Sequence, residues 1–302
     1  TGEGAERVPG RLGGYDGSQH CRAHASGTCL ASRNGRAAAR AYPATMVSLI
    51  LSDVVGDDLS SIASGLTSPD SGTFSDALNI FERYGIIDTV PTPVTRLIRA
   101  GVAGDVPDTP RVGDPAFERT RNILIGTNAQ ALIAARARAF ELGLNPLVLS
   151  SRIEGEAREV ARFYAAIARD LVRFDGDPAV TPIALPACVI AGGEAKVTLH
   201  GDGLGGRNHE MALAFLLRVA DTAGAERITF FSGGTDGNDG PTDAAGGWVD
   251  ADAIAALARS GLDGGAYLAN NDAYRLLESI GALEKTGPTN TNVCDIQVIV
   301  VE

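Results

Sequence analysis

The sequence predicts an α/β protein of two units, each a parallel or mixed sheet covered by helices. Three observations predict it. Apolar runs of strand length alternate with longer segments of helical period, the order that places helices on both faces of a sheet. A stretch with three prolines and Gly/Asp turn signals, Phe174 to Pro186, separates two such alternating series. Finally, 302 residues with 44% apolar content can bury more core than a small module needs.

Residues 1–35 are the exception. Gly, Arg, His, Ser and Cys dominate there, no run of four apolar residues occurs before Met46, and a disordered or frame-altered start is expected. Ala37–Ala41 reads as the end of a helix and Met46–Leu51 as a strand, with helical patterns at about 74–84 and 93–100. Asn122–Ile125 reads as the next strand, Ala129–Leu142 as an Ala-rich helix, Pro146–Leu149 as a strand and Glu154–Val172 as a long helix. Beyond the linker, strands are expected near 187–191 and 196–200, a helix at about 208–222 and a strand at Ile228–Ser232. Helices near 250–259 and 270–279 and a closing strand, Val293–Val301, complete the series. The organisation expected is an unmatched start, a first unit at 36–173, a linker at 174–186 and a second unit at 187–302.

Charge and hydropathy exclude several classes of function. With 37 acidic against 26 basic residues the formal charge is −11, and no Lys/Arg-rich stripe marks a nucleic-acid partner. The longest apolar run, Met211–Leu217, is seven residues, against about 20 for a membrane span, and no stretch has the layout of a secretory signal. Four scattered cysteines without a CxxC pair suit a reducing, cytoplasmic setting. His20, Cys21, His24 and Cys29 lie within ten residues, but adjacent His20 and Cys21 cannot easily converge on one zinc ion.

Four segments carry polar chemistry. Ser52–Asp58 follows a predicted buried strand, where ligands gather in open α/β sheets; Asp53 and Asp57 there could orient a hydroxyl or hold a divalent cation, or simply cap a helix. Gly201, Gly203 and Gly206 satisfy G-x-G-x-x-G, a weak dinucleotide signal without the expected acid about 20 residues on. Arg207 at the following helix start can grip a carboxylate or phosphate bidentately, whereas His209, one turn in, is the kind of histidine that is usually structural. Ser232–Asp243 offers Asp236, Asp239 and Asp243 in a glycine-rich loop after another strand, suited to metal ligation or to accepting a hydroxyl proton. Thr286–Asn292 supplies hydroxyls, amides and successive N–H groups that suit an anion. No Walker A motif, G-x-S-x-G elbow or H-E-x-x-H is present.

Together, GGRNHE at 205–210, SGGTDGNDGPTDAAG at 232–246 and TGPTNTNV at 286–293 resemble the C-terminal MOFRL domain of the glycerate 2-kinases, a family also labelled hydroxypyruvate reductase. The segment from Gly35-Arg36 to Ala44, SLILSDVVGDDLSSIASGLTSPD at 48–70 and GGE at 192–194 resemble its associated N-terminal domain and the inter-domain region. The resemblance implies a Rossmann-like three-layer N-terminal domain, incomplete here, beside an α/β MOFRL domain. It also implies phosphorylation of D-glycerate to 2-phosphoglycerate, with ATP and Mg2+ or another divalent cation as cofactors. On that analogy Arg207 contacts substrate carboxylate or transferring phosphate, Asp236 orients or deprotonates the hydroxyl, and Asp53 assists metal or substrate binding. Glu194, Gly205, Gly206, Asn208, Gly234, Thr235, Thr289 and Asn292 join as substrate- or nucleotide-binding candidates, and Asp57 and Asp239 as metal candidates. Departures are Arg33-Asn34-Gly35-Arg36 for KGGR, Leu66 for the proline of SGPT and Asn290 for the glycine of TGPTGTN. The family's earlier SGGGSA-like segment and active-site lysine have no counterpart, so a truncated, poorly active or inactive chain with an exposed sheet edge is expected; another reading is a non-catalytic fragment that folds only around the MOFRL domain, as a homodimer through exposed sheet edges. A reductase would instead use the 201–206 glycines for NAD(P)H.

Overall fold

The computed structural model describes residues 34–302, so the His20–Cys29 group and Arg33 lie outside the described residues. In the first part, α1 (Arg36–Ala41) leads into β1 (Met46–Leu51), and after α2 (Phe74–Arg83) and α3 (Thr92–Val102) comes β2 (Thr120–Gly126). β1 and β2 pair in parallel, Met46 opposite Thr120 and Leu51 opposite Gly126, as a two-stranded sheet. Strict alternation of their side chains leaves one row, Val47, Leu49, Leu51, Ile123 and Ile125, exposed. Thr73 and Asp76 form a reciprocal capping box that starts α2, and Phe81, Val94 and Ile98 lock α2 to α3.

The remainder is one six-stranded mixed sheet. Its strands are β3 (Asn145–Val148), β4 (Ala187–Gly193), β5 (Ile228–Gly234), β6 (Gly246–Val249), β7 (Leu283–Glu284) and β8 (Asp295–Val301), in the order β3-β4-β8-β5-β6-β7. β8 runs antiparallel between β4 and β5. One face is covered by α5 (Ala157–Arg173) and α6 (Arg207–Val219). Ala157, Ala161, Ala165 and Ala168 form a small-residue stripe that lets α5 approach α6 closely, and Phe215 of α6 stacks on Phe230 of β5 at 4.1 Å. The other face meets α4 (Asn128–Glu141) through Leu132 and Ala139, which pack on Cys188 and Ile190. The helices α7 (Ala251–Ser260), α8 (Gly264–Ala269) and α9 (Ala273–Ser279) complete the fold.

Two details differ from the sequence reading. β3, upstream of the expected linker, pairs with β4 downstream of it, so Phe174–Pro186 joins neighbours in one sheet and the change of sheet falls between β2 and β3. No strand forms at 196–200: Lys196 makes an isolated bridge to Glu156, whose carboxylate then takes the Thr198 N–H and hydroxyl at 3.0 and 2.7 Å. No helix among the described residues is long and apolar enough to cross a membrane.

Candidate active site

The site gathers where β1, β4 and β5 end and β8 begins. Arg207, the first residue of α6, is held by Asp295, the first of β8: Nε donates to Oδ2 at 2.5 Å and Nη2 to Oδ1 at 2.9 Å. Its remaining edge, Nη1, donates to Glu194 Oε1 at 2.9 Å. Asp295 is buried, whereas about a third of each of the Arg207 and Glu194 side chains is exposed. Burial alone would favour a neutral Arg207, but Asp295, Glu194 and Asp239 outweigh it and keep the guanidinium firmly protonated. Burial pushes the Glu194 carboxyl up; Arg207 pulls it down, while Asp295 and Asp53 push it up.

A second carboxylate fixes the backbone beneath Arg207. Asp239 Oδ2 accepts the His209 N–H at 2.8 Å and lies 2.5 Å from His209 Nδ1, and its Oδ1 accepts from Asn208 Nδ2 at 3.3 Å. Asp239 therefore caps α6 from another loop, placing negative charge where the helix dipole and free N–H groups favour it. Asn208 in turn accepts from Ser232 at 2.7 Å, and the His209 ring meets Tyr274 edge-on at 5.4 Å. Burial opposes ionisation of Asp239, yet its bonds to His209 and Asn208 hold the carboxyl below its ordinary range.

Asp53 and Asp236 line one cavity of about 370 Å3 with Leu51, Pro288, Asn290, Thr291 and Asn292. Asp53 is exposed beyond β1; Asp236 is half-buried after β5 and accepts the Asn238 N–H at 3.0 Å. The loops are laced together. Thr235 Oγ1 donates to Cys294 O at 2.7 Å and accepts the Val293 N–H at 2.8 Å, and Thr289 Oγ1 donates to Thr235 O at 2.6 Å.

Of the predicted residues, Arg207, Glu194, Asp53, Asp236 and Asn292 fall around this region, with Gly234, Thr235 and Thr289 in its supporting loops. Asn208 and Asp239 lie buried behind it. Asp239 is not available as a metal ligand, because its oxygens serve the start of α6. Asp57 does not join it either; it occupies a left-handed turn at φ 60°, its N–H on Val54 O. Among the described residues no group of three His, Cys, Asp or Glu is arranged to hold a metal. The 201–206 glycines also lose their phosphate reading. A Cβ at Gly201 or Gly203 would come within about 2.5 Å of Asn270 O, and one at Gly206 would strike Asp239, so the protein's own atoms account for all three glycines.

Sequence reasoning missed Asp295 and Asn128. Asn128, buried after β2, donates to Val293 O and Asp295 O, both at 2.8 Å, and so ties the β2–α4 turn to the residue that grips Arg207. The signal for Asp295 was a lone acid opening a strand that is apolar but for Gln297; for Asn128 it was a Thr-Asn pair between a strand and a helix.

Two family models match the chain: the MOFRL family over residues 187–295 and a domain of unknown function over 22–99. A D-glycerate 2-kinase from Thermotoga maritima is 41% identical over 264 residues, 87% of this chain and 58% of that relative. A Thermotoga maritima glycerate kinase crystal structure superposes with a TM-score of 0.76 at 40% identity, covering 90% of this chain and 61% of that one. The chain thus spans a little under three-fifths of the length of several relatives it matches. It covers more of a glycerate kinase from Macaca fascicularis, 75% of that sequence at 36% identity and 88% of its own. With that coverage and a shared fold, this chain belongs to the glycerate kinase family.

Proposed function

We propose that the complete protein phosphorylates the 2-hydroxyl of D-glycerate with ATP, and that the cavity between Asp53 and Asp236 receives the hydroxyacid. The observation that carries this reading is the pairing, across one small cavity, of two carboxylates from different strand ends beside a guanidinium anchored on a buried acid. Phosphoryl transfer asks a protein for positioning and charge stabilisation rather than for covalent chemistry. Arg207 suits the substrate carboxylate or the transferring phosphoryl group, since Asp295 fixes two of its nitrogens and so holds the guanidinium in one place. Asp236, one oxygen engaged by Asn238, is suited to orient the hydroxyl and accept its proton. The cavity volume suits a three-carbon acid with a phosphoryl group.

Mg2+ fits this donor set, because it is commonly held by one or two carboxylates with waters and substrate phosphates making up the rest. Asp53 and Asp236 are the residues that would hold it, and its chemistry there would be to neutralise phosphoryl oxygens. Nicotinamide binding has weaker support, because the glycines it needs are packed against Asn270 and Asp239. Two buried, unpaired thiols, Cys188 and Cys294, suit the reducing cytoplasm.

The test is ADP release from ATP with Mg2+ and D-glycerate, by this chain and by one extended to its relatives' length. Glycerate-dependent release that is lost in folded Arg207→Ala and Asp236→Ala variants is the expected result. NADH oxidation by hydroxypyruvate without any ADP release would overturn the proposal, and near-normal turnover in either variant would remove that residue's role.

A further inference from the structure

Arg207 is unevenly held. Two of its edges, Nε and Nη2, are fixed on Asp295, which is buried and is itself tied by Asn128 through its backbone carbonyl. Its third edge, Nη1, rests on Glu194, whose side chain is about a third exposed. Glu194 follows Gly193, the last residue of β4, which takes φ 144° and bridges Ile153, and the Glu194 N–H donates to Ile153 O at 2.9 Å. One partner is part of the core; the other stands at its margin.

The charge balance sharpens the difference. Asp295, Glu194 and Asp239 act on the one guanidinium, and Asp53 acts on Glu194 as well, so the acids here outnumber the single cation. A further anion added to this group would be repelled, whereas an anion that replaces Glu194 leaves the local charge unchanged for a singly charged ligand. We propose that Glu194 is an internal stand-in for a ligand oxyanion, holding the Nη1 edge of Arg207 until a carboxylate or phosphoryl group takes its place and Glu194 turns to solvent. This rests on the reading of Arg207 as the anion contact and adds the exchange partner. Burial and repulsion from Asp295 and Asp53 raise the Glu194 carboxyl against the pull of Arg207.

The sign of one substitution separates this from a direct role for Glu194 in holding substrate. Calorimetric titration of the 302-residue chain with D-glycerate, and separately with inorganic phosphate, is compared with Glu194→Gln. Exchange predicts tighter binding in the variant, by roughly fivefold, the scale of a partly exposed ion pair. In the unaltered chain the 13C resonance of the Glu194 carboxyl should move toward its solvent value as D-glycerate is added, while the Arg207 Nε–H signal, held by Asp295, stays in place. Tighter binding of both anions, or of only one, supports exchange and identifies the oxyanion. Weaker or unchanged binding in Glu194→Gln, an unmoved Glu194 carboxyl, or no binding of either anion to either protein overturns it. A chain that exchanges Glu194 for phosphate but neither binds nor phosphorylates D-glycerate would defeat the kinase reading and leave the exchange intact.

Discussion

Asp239→Ala tests the claim that a buried carboxylate, rather than a ligand, satisfies the start of α6. The carboxylate takes the His209 N–H and meets its Nδ1 and the Asn208 amide, and all three residues are buried. Removing it strands the His209 N–H and the Asn208 amide away from water, at about 1–3 kcal/mol for each buried group left unpaired. Partial relaxation makes these costs less than additive, so the expected loss is about 3–5 kcal/mol, the range for breaking a buried charged contact. The assay is urea unfolding followed by Trp248, the sole tryptophan, which sits in β6 against Phe231 and so reports on the six-stranded sheet. The pH dependence has a definite sign. Because the folded carboxyl lies below its ordinary value, the unfolded chain takes up the proton first. The contribution of Asp239 is therefore complete above about pH 4, the unperturbed value for Asp, and is lost as pH falls through the lower folded value. Asp239→Asn should cost less than Ala and should lack this acid-side component. A loss below about 1 kcal/mol for Asp239→Ala at pH 7 would refute the reasoning, since two unpaired buried donors cannot be that cheap.

Three further outcomes are expected. Gly203→Ala should lose about 1–3 kcal/mol in the same urea assay, because its Cβ would meet the Asn270 carbonyl at 2.5 Å; wild-type stability would show that the 200–204 and 270–272 turns can part. Asp57→Gly should keep or slightly raise stability, by up to about 1 kcal/mol, while Asp57→Val should lower it, since φ 60° suits glycine and is closed to β-branched residues; equal midpoints would refute the backbone argument. Burial pushes the Cys188 thiol up to about 11, and burial with Glu194 and Asp295 pushes Cys294 up to about 12. Peptide mapping after iodoacetamide at pH 8 should therefore find both unmodified in the native chain and modified in urea.

What was legible in the sequence was local. β1, β2, β4 and β5 announce themselves as apolar runs of strand length, the long helices by period, and Arg207, Asp236 and Asp53 by their place beside strand ends. β6 and β7 were not legible: Gly246-Gly247-Trp248-Val249 is short and opens on two glycines, and Leu283-Glu284 is two residues long, so neither offers a period to read. At 196–200 the alternation of Lys-Val-Thr-Leu-His is strand-like, yet Glu156 captures Thr198 and Asn271 captures the His200 and Gly201 N–H groups, which turns the chain away from a ladder. Asp295 was hidden for another reason. It lies 88 residues from Arg207, and only the passage of β8 between β4 and β5 brings the two together.

The acids of this site look alike in sequence and differ by burial, and burial decides what each can do. Asp239 and Asp295 are enclosed, and each spends its oxygens on groups of α6: one on the backbone of its first turn, the other on the side chain of its first residue. Neither is free to meet a ligand, and each is needed for the Arg207 guanidinium to stand in one place. Asp53 and Asp236 reach the cavity, where a carboxylate can meet a hydroxyl or a cation without first leaving the protein's own donors. Glu194 lies between these groups, paired but partly exposed, and is the one acid that can exchange partners. A loop rich in aspartate therefore predicts a site, but the division of labour within it follows from which carboxylates the sheet and helices have closed off from water.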